Sequence, residues 1–311
     1  MSEPFVYLKG EFVRVSQAHI AFYDAAVVLG ATVTDMTRTF GHIPYRLEDH
    51  VARFYRSCRY TGIMPQITAA ETIEVAEELI RRNAEFLLPD QELALVKFVS
   101  PGELRLYAGA AGAAGAAADI VPTYCMHTFF LPFSLWQHYF TEGAHVVTPS
   151  IRHVPPQCVD PRIKCRSRMH WWLADRQSHL VDPNAVSLCL DLNGNVTETG
   201  GSNFLISNGN EIISPRSRHV LAGISVQTVA ELCHELGIAF VERDIQVYDV
   251  INADEAFLAS TPYCLAPVTK INGLPIGDGK PGPLLHRLLN LWSERVGVNI
   301  VQQITSSQVP Q

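Results

Sequence analysis

Residues 187–215 read SLCLDLNGNVTETGGSNFLISNGNEIISP, and their punctuation decides the fold class. Asn193-Gly194 and Asn208-Gly209 each separate two β-rich runs, so the stretch predicts two successive hairpins with type I′ turns. After it, a helix is predicted over 225–236, ending before Gly237. EAFLAS (255–260) reads as a strand, and PLLHRLLNLWSERV (283–296) as an amphipathic closing helix. Before it, AHVVTPSIRHV (144–154) reads as a strand, and TFFLPFSLWQHY (128–139) as a connector broken by a proline.

The first 45 residues form short β-rich runs around Lys9-Gly10 and Gly41-His42. Leu47, Val51, Phe54 and Cys58 then recur at helical spacing. A second helix begins at Thr68, where Thr68-x-x-Glu71 is a capping-box pattern, and continues through Ile73, Ala76, Leu79 and Ile80. ELALVKFVS (92–100) is a strand. The Ala/Gly tract LYAGAAGAAGAAADI (106–120) predicts a mobile loop, since its spacing fits neither a dinucleotide fingerprint nor a P-loop. Strands and helices are mixed without regular βαβ alternation, which predicts two α+β domains rather than a doubly wound sheet. The boundary falls at 131–136, between a smaller domain (1–130) and a larger one (137–311) that includes Lys164.

Composition narrows the function. The 311 residues are 47% hydrophobic and 18% charged, which argues against long disordered stretches. A net charge of −7 with no basic block argues against a nucleic-acid partner. No run of about 18 apolar residues predicts a membrane span, and MSEPFVYLKGEF lacks a secretory pattern. Seven scattered cysteines without a C-x-x-C pair suit a reducing compartment, so a cytoplasmic protein is expected. No H-E-x-x-H or G-x-S-x-G pattern supports a metal or nucleophilic-hydrolase site.

Lysine is scarce, at 9, 97, 164, 270 and 280. Lys9, Lys270 and Lys280 adjoin turns and read as solvated. Lys97 interrupts the apolar run LALVKFV and is placed to face a cleft. Lys164, in CVDPRIKCRSRMHWWLAD (158–175), follows the Pro161 break and precedes a run whose Met169, Trp172 and Leu173 predict an apolar face. It reads either as a surface lysine among arginines or as a partly desolvated amine able to form a Schiff base. Glu198 precedes Gly200-Gly201, where the backbone can approach a ligand; it is either a hairpin-end glutamate or a partner for a pyridinium nitrogen. Leu221-Ala222-Gly223-Ile224-Ser225 leads into a helix, where free N–H groups and a hydroxyl suit phosphate. Ser260-Thr261 offers hydroxyls at a turn, and Arg53 is a helical arginine able to pair a phosphate bidentately.

Taken in order along the chain, RLEDHVARFYRSC, VPPQCVDPRIK, GNVTETGGSNFLI, HVLAGIS and ADEAFLASTPYCLAPV resemble the class IV aminotransferases, the fold type IV enzymes of pyridoxal 5′-phosphate (PLP). The resemblance implies a two-domain α+β fold of the D-amino-acid-aminotransferase kind with the cofactor between domains, and a homodimer whose partner helps close the site. By motif, Lys164 would hold PLP as a Schiff base and move the substrate α-proton. Glu198 would face the pyridine nitrogen. Arg53, the Ile224 N–H, Ser225 and Thr261 would hold the phosphate, with Ser260 beside them. The substrates implied are an amino acid or small amine and a 2-keto acid.

The substrate pocket departs from familiar members. Met169 stands where branched-chain enzymes usually have a tyrosine, and V-F-E-x-x-R is replaced by Val33-Thr34-Asp35-Met36-Thr37-Arg38, so Thr34 removes an aromatic wall. Lys97 aligns loosely with a carboxylate-binding arginine of some members. Arg166 and Arg168, after the lysine, face either a substrate carboxylate or solvent. VPPQCVDPRIK looks closer to the amine-transaminase branch. Two alternatives stand beside transamination: a PLP lyase of the aminodeoxychorismate type, and a PLP-binding protein with weak catalysis.

Overall fold

The computed structural model describes residues 3–88, 90–108 and 121–306. The chain divides into two compact units, Met1–Leu131 with Ile163–Arg168, and Pro132–Arg162 with Met169–Gln311.

The first unit contains strands β1 (Phe5–Leu8) and β2 (Glu11–Arg14), helix α1 (Ala25–Val28), strands β3 (Val33–Phe40) and β4 (Ile43–Pro44), helices α2 (Leu47–Thr61) and α3 (Ala69–Ala84), and strands β5 (Leu93–Ser100) and β6 (Thr123–Phe130). Among the described residues these strands form one antiparallel sheet in the order β2-β1-β6-β5-β3-β4. The predicted stripes become its core: Leu47, Val51, Phe54 and Cys58 of α2 and Ala76, Leu79 and Ile80 of α3 pack with Leu93, Leu95 and Val99 of β5. The side chain of Thr68 accepts the Glu71 N–H and Glu71 answers at the Thr68 N–H, so the capping box forms as its spacing predicts.

The second unit contains α4 (Gln137–Thr141), β7 (Ala144–Val147), α5 (Met169–Ser178), β8 (Val186–Leu190), β9 (Val196–Thr199), β10 (Asn203–Asn208), β11 (Glu211–Ser214), α6 (Ile224–Glu235), β12 (Ala239–Glu242), α7 (Val247–Ile251), β13 (Glu255–Ser260), β14 (Cys264–Ile271), β15 (Leu274–Pro275), α8 (Pro283–Val296) and α9 (Ile300–Thr305). Its sheet runs β12-β11-β10-β13-β14-β7-β8-β9, and β9 returns to β10 through the Glu198–Asn203 pair. Six strands thus close into a ring, and Glu198 sits at the seam.

Four expectations are corrected. Residues 163–168 group with the first unit, not the second, because the Thr34 N–H donates to Lys164 O (2.9 Å) and the Arg166 N–H to Thr32 O (3.0 Å). Asn193-Gly194 and Asn208-Gly209 are not type I′ turns, since only the glycines have positive φ (85° and 58°). At the first, Asp191 accepts the N–H groups of Asn193 and Asn195, and that local bonding sets a longer loop. At the second, the Gly209 N–H donates to Asp254 Oδ2 (2.7 Å). Positive φ at both residues occurs at Lys9-Gly10, Gly41-His42 and Asn272-Gly273. Met169, Trp172 and Leu173 are 70%, 63% and 41% exposed, while Trp171 and Ala174 face the core. Apolar residues lie on both sides of α5, so spacing alone could not choose between them. Lys97, expected at the wall of an open cleft, is fully buried in the ligand-free structure.

Most of the Ala/Gly tract, residues 109–120, lies outside the described residues; its start joins a short 3₁₀ turn, Arg105–Ala108. Among the described residues no helix is long and apolar enough to cross a membrane.

Thr68→Ala removes the hydroxyl that accepts the Glu71 N–H and leaves the Glu71 carboxylate on the backbone N–H of residue 68, and a loss of about 1 kcal/mol is expected in a denaturant titration.

Candidate active site

In the first unit, candidate residues gather around a buried carboxylate. Asp35 on β3 is fully buried opposite Lys97 of β5. Arg53 Nε donates to Asp35 Oδ2 (2.8 Å) and Arg53 Nη2 to Oδ1 (3.0 Å). His50, one turn earlier on α2, places Nδ1 2.7 Å from Oδ1. Burial raises the Asp35 pKa, but Arg53, His50 and Lys97 together outweigh it and hold the carboxyl well below its usual range. Burial pushes His50 down to about 4, so its imidazole is neutral near pH 7. Burial also pushes Lys97 down to about 8, and its Nζ has no hydrogen-bond partner among the described residues.

Lys164 is tied to the same cluster through its backbone. Ser57 lies one turn beyond Arg53 on α2; its hydroxyl donates to Arg53 O (3.2 Å) and accepts the Lys164 N–H (3.3 Å). On the other side, Cys165 bridges Val33 antiparallel, and the Thr34 hydroxyl donates to Lys97 O (3.0 Å). Arg53, Thr34, Lys97 and Lys164 are therefore brought together within one unit. Arg166 is exposed, with its guanidinium 5.0 Å from the Phe98 ring centroid; Arg168 is exposed too. Sequence reasoning missed Asp35, His50 and Ser57 as members of the cluster. The available signal was an aspartate inside an otherwise uncharged strand start, three residues before Arg38.

The second unit gathers Glu198, the two glycine-bearing motifs and the Ser260 turn. The Leu221 N–H lies 3.2 Å from both Glu198 oxygens, and Asn203 Nδ2 donates to Oε2 at 3.2 Å. His153 Nε2 lies 3.3 Å from Oε1. Asn203 Nδ2 also donates to Leu221 O (2.9 Å), locking the two motifs together. Gly223 is required there, since a Cβ would fall 2.1 Å from Asn203 Oδ1. Gly223 is also the N-cap of α6, with no side-chain cap, so no capping side chain occupies the N–H groups of the first turn at Ile224 and buried Ser225. The Ser260 hydroxyl donates to Gly201 O (2.6 Å), holding the turn that carries Thr261 against Gly200-Gly201.

Solved structures share this architecture. The branched-chain amino acid aminotransferase of Escherichia coli superposes with a TM-score of 0.79 at 21% identity, covering 94% of this chain and 93% of that one. That of Thermoproteus uzoniensis with norvaline gives 0.82 at 21% identity, over 95% of each chain. The T.th. branched-chain amino acid aminotransferase, solved with pyridoxamine 5′-phosphate, gives 0.81 at 22% identity, again over 95% of each. The fold is therefore that of the fold type IV enzymes.

The sequence is 26% identical over 281 residues to the D-alanine aminotransferase of Bacillus licheniformis, covering 90% of this chain and 92% of that one. It is 28% identical over 284 residues to a Methanocaldococcus jannaschii protein provisionally named a branched-chain-amino-acid aminotransferase, covering 91% and 93%. Residues 32–271 match the model of the amino-transferase class IV family. The chain belongs to that family, and its chemistry is PLP-dependent transamination.

Gly223→Ala should force Asn203 off Glu198 and cost about 1–3 kcal/mol in a denaturant titration. Lys97 has a lower pKa folded (about 8) than the usual 10.5, so the unfolded chain binds more protons between those values. Stability of the ligand-free protein is therefore expected to rise with pH across that window. The rise should be absent from Lys97→Met when the two are compared by denaturant titration at each pH.

Proposed function

We propose that the amino donor is an amino acid, bound through its carboxylate, rather than a bare amine. The observation that carries this reading is Lys97, a buried cation whose Nζ has no hydrogen-bond partner among the described residues. With Asp35 ionised, His50 neutral and Arg53 charged, Lys97 leaves one positive charge in excess. A buried, uncompensated charge is costly, and an anionic substrate group removes that cost.

The donor set fits PLP: a lysine tied to an arginine-bearing helix in one unit, and in the other a buried carboxylate and an α6 N-terminus with no side-chain cap. When bound, PLP supplies a protonated ring that accepts the electron pair left at the substrate Cα. Lys164 Nζ would hold the cofactor and then take the proton from Cα and return it one atom along. Glu198 would hold a proton on the ring nitrogen. Arg53, Ser225, Thr261 and the Ile224 N–H would bind the phosphate, with Ser260 positioning Thr261. Thr34 and Lys97 would contact the substrate; Arg166 and Arg168 are kept as rim contacts for an incoming carboxylate.

A homodimer in the cytoplasm completes the reading. Exposed apolar side chains such as Trp172 and Leu180 support an assembly, and seven free thiols support a reducing compartment. Burial pushes Cys58, Cys125 and Cys189 up to about 12, which keeps these thiols inert.

The test is a visible spectrum of wild type and Lys164→Ala with PLP, before and after amino acids and their decarboxylated counterparts. A yellow band in wild type, missing from the variant and bleached by amino acids but not by the matching amines, is expected. Lys97→Ala should raise KM for the amino acid about tenfold or more, with a smaller change in kcat. Equal bleaching by the amines overturns the carboxylate reading. Pyruvate released without a keto-acid acceptor would favour the lyase, and a band that no donor perturbs would favour a weak catalyst.

A further inference from the structure

A cavity of about 430 Å³ lies wholly within the second unit and shares no residue with the candidate active site. It adjoins the GDGKPG turn (277–282) and the ends of β10 and β13 opposite to those that carry Asn203 and Ser260. Ser207 of β10 and Glu255 of β13 are direct partners across the sheet, so both side chains stand on one face, and both residues line the cavity. The Leu284 N–H donates to Glu255 Oε1 (2.8 Å) and the Leu285 N–H to Oε2 (3.1 Å), so an internal carboxylate already answers the N-terminus of α8. Gly282 permits this, since a Cβ there would fall 2.1 Å from Glu255 Cδ.

A carboxylate oxygen has two lone pairs, so each Glu255 oxygen can accept once more beyond its N–H. Ser207 is 2% exposed, and its hydroxyl has no hydrogen-bond partner among the described residues. A buried hydroxyl without a partner is costly until a ligand supplies one. The inner end of the cavity is therefore rich in acceptors. At its rim Lys280 and Arg287 are exposed, and neither has an acidic partner within ion-pair distance among the described residues. Asp254 and Asp278 also line the rim, and each serves its own turn: Asp254 Oδ2 accepts the Gly209 N–H (2.7 Å) and Asp278 Oδ1 the Lys280 N–H (3.0 Å). Buried Ile238 and Leu284 add apolar wall.

We propose that this cavity is a second ligand site, which takes a zwitterionic aliphatic amino acid. The ligand's ammonium group donates to Glu255 and the Ser207 hydroxyl, its carboxylate pairs Lys280 and Arg287, and its side chain lies on Ile238 and Leu284. A lone anion would meet three carboxylates there, and a lone amine would leave both cations unanswered. The volume falls within the range of small-molecule sites, about 300–1,000 Å³.

The test uses the enzyme loaded with pyridoxamine 5′-phosphate, which has no aldehyde for an amino acid to attack, and follows the Ile238 methyl group by ¹³C NMR. L-Leucine is titrated beside 3-methylbutylamine and 4-methylpentanoate, which lack its carboxylate and its ammonium group in turn. Leucine is expected to shift the methyl resonance saturably, with each analogue binding about tenfold more weakly or worse. Combining Lys280→Ala with Arg287→Ala should weaken leucine about tenfold at this methyl, while the visible response of the PLP form to amino donors stays as in wild type. Ser207→Ala should weaken leucine as well, by a smaller factor. A methyl resonance unmoved by leucine overturns the proposal, as does equal binding of the amine or of the acid. A double variant that binds leucine like wild type also overturns it, because the shift then arises from occupancy elsewhere.

Discussion

The burial of one ionised carboxylate organises the first unit. Asp35 lies at zero exposure within a sheet face covered by helices, where a carboxylate persists only if opposite charge and hydrogen bonds meet it. Arg53 and His50 meet it from α2, and their bonds fix how that helix is rotated against β3. The rotation has a consequence one turn on. Ser57 is carried to the Lys164 N–H, while Thr34, the residue before Asp35, reaches the Lys164 carbonyl. Lys164 is thus held from both sides by neighbours of the same carboxylate. That is why residues 163–168 belong with the first unit although most of their sequence neighbours lie in the second.

Glu198 plays the corresponding part in the second unit, with a different balance of partners. Asp35 is met by the Arg53 guanidinium and the His50 ring, whereas Glu198 is met by the Leu221 N–H, the Asn203 amide and the His153 ring. The first arrangement holds charge firmly. The second holds its carboxylate through a backbone N–H and an amide, with a ring nitrogen 3.3 Å away. Ring closure at the Glu198–Asn203 pair explains how such a site is kept rigid. Asn203 serves both the sheet seam and the carboxylate, and only a glycine at 223 leaves it room.

Elements whose signal is local were legible in the sequence. The stripe on α2, the Thr68–Glu71 box and the glycine past α6 each depend on residues within a turn or two, and each forms as expected. The hairpins at 193–194 and 208–209 were located but not typed, because Asp191 and Asp254 take backbone donors of these turns. On α5, tryptophans at successive positions face opposite ways, and only packing decides which is buried. The family motifs named Lys164, Glu198 and Arg53. They could not announce that Arg53 would meet Asp35, nor that His50, Ser57 and His153 would join the two clusters. Those contacts link positions that are far apart along the chain or that belong to different elements, so no local pattern carries them.

The same distribution of charge bears on stability. Lys97 is buried beside an aspartate already satisfied by Arg53 and His50, so the ligand-free protein carries a desolvated ammonium without a hydrogen-bond partner. Well-packed methionine would cost less at that position, which makes the lysine hard to explain by folding alone. A group that destabilises the free protein while matching an anion has its natural account in binding, where strain in the empty state becomes affinity in the filled one. By linkage, any anion that binds the folded protein at Lys97 stabilises the fold by an amount that grows with the logarithm of its concentration above Kd. On the proposed reading of Lys97, substrate selection and folding stability both depend on one buried charge.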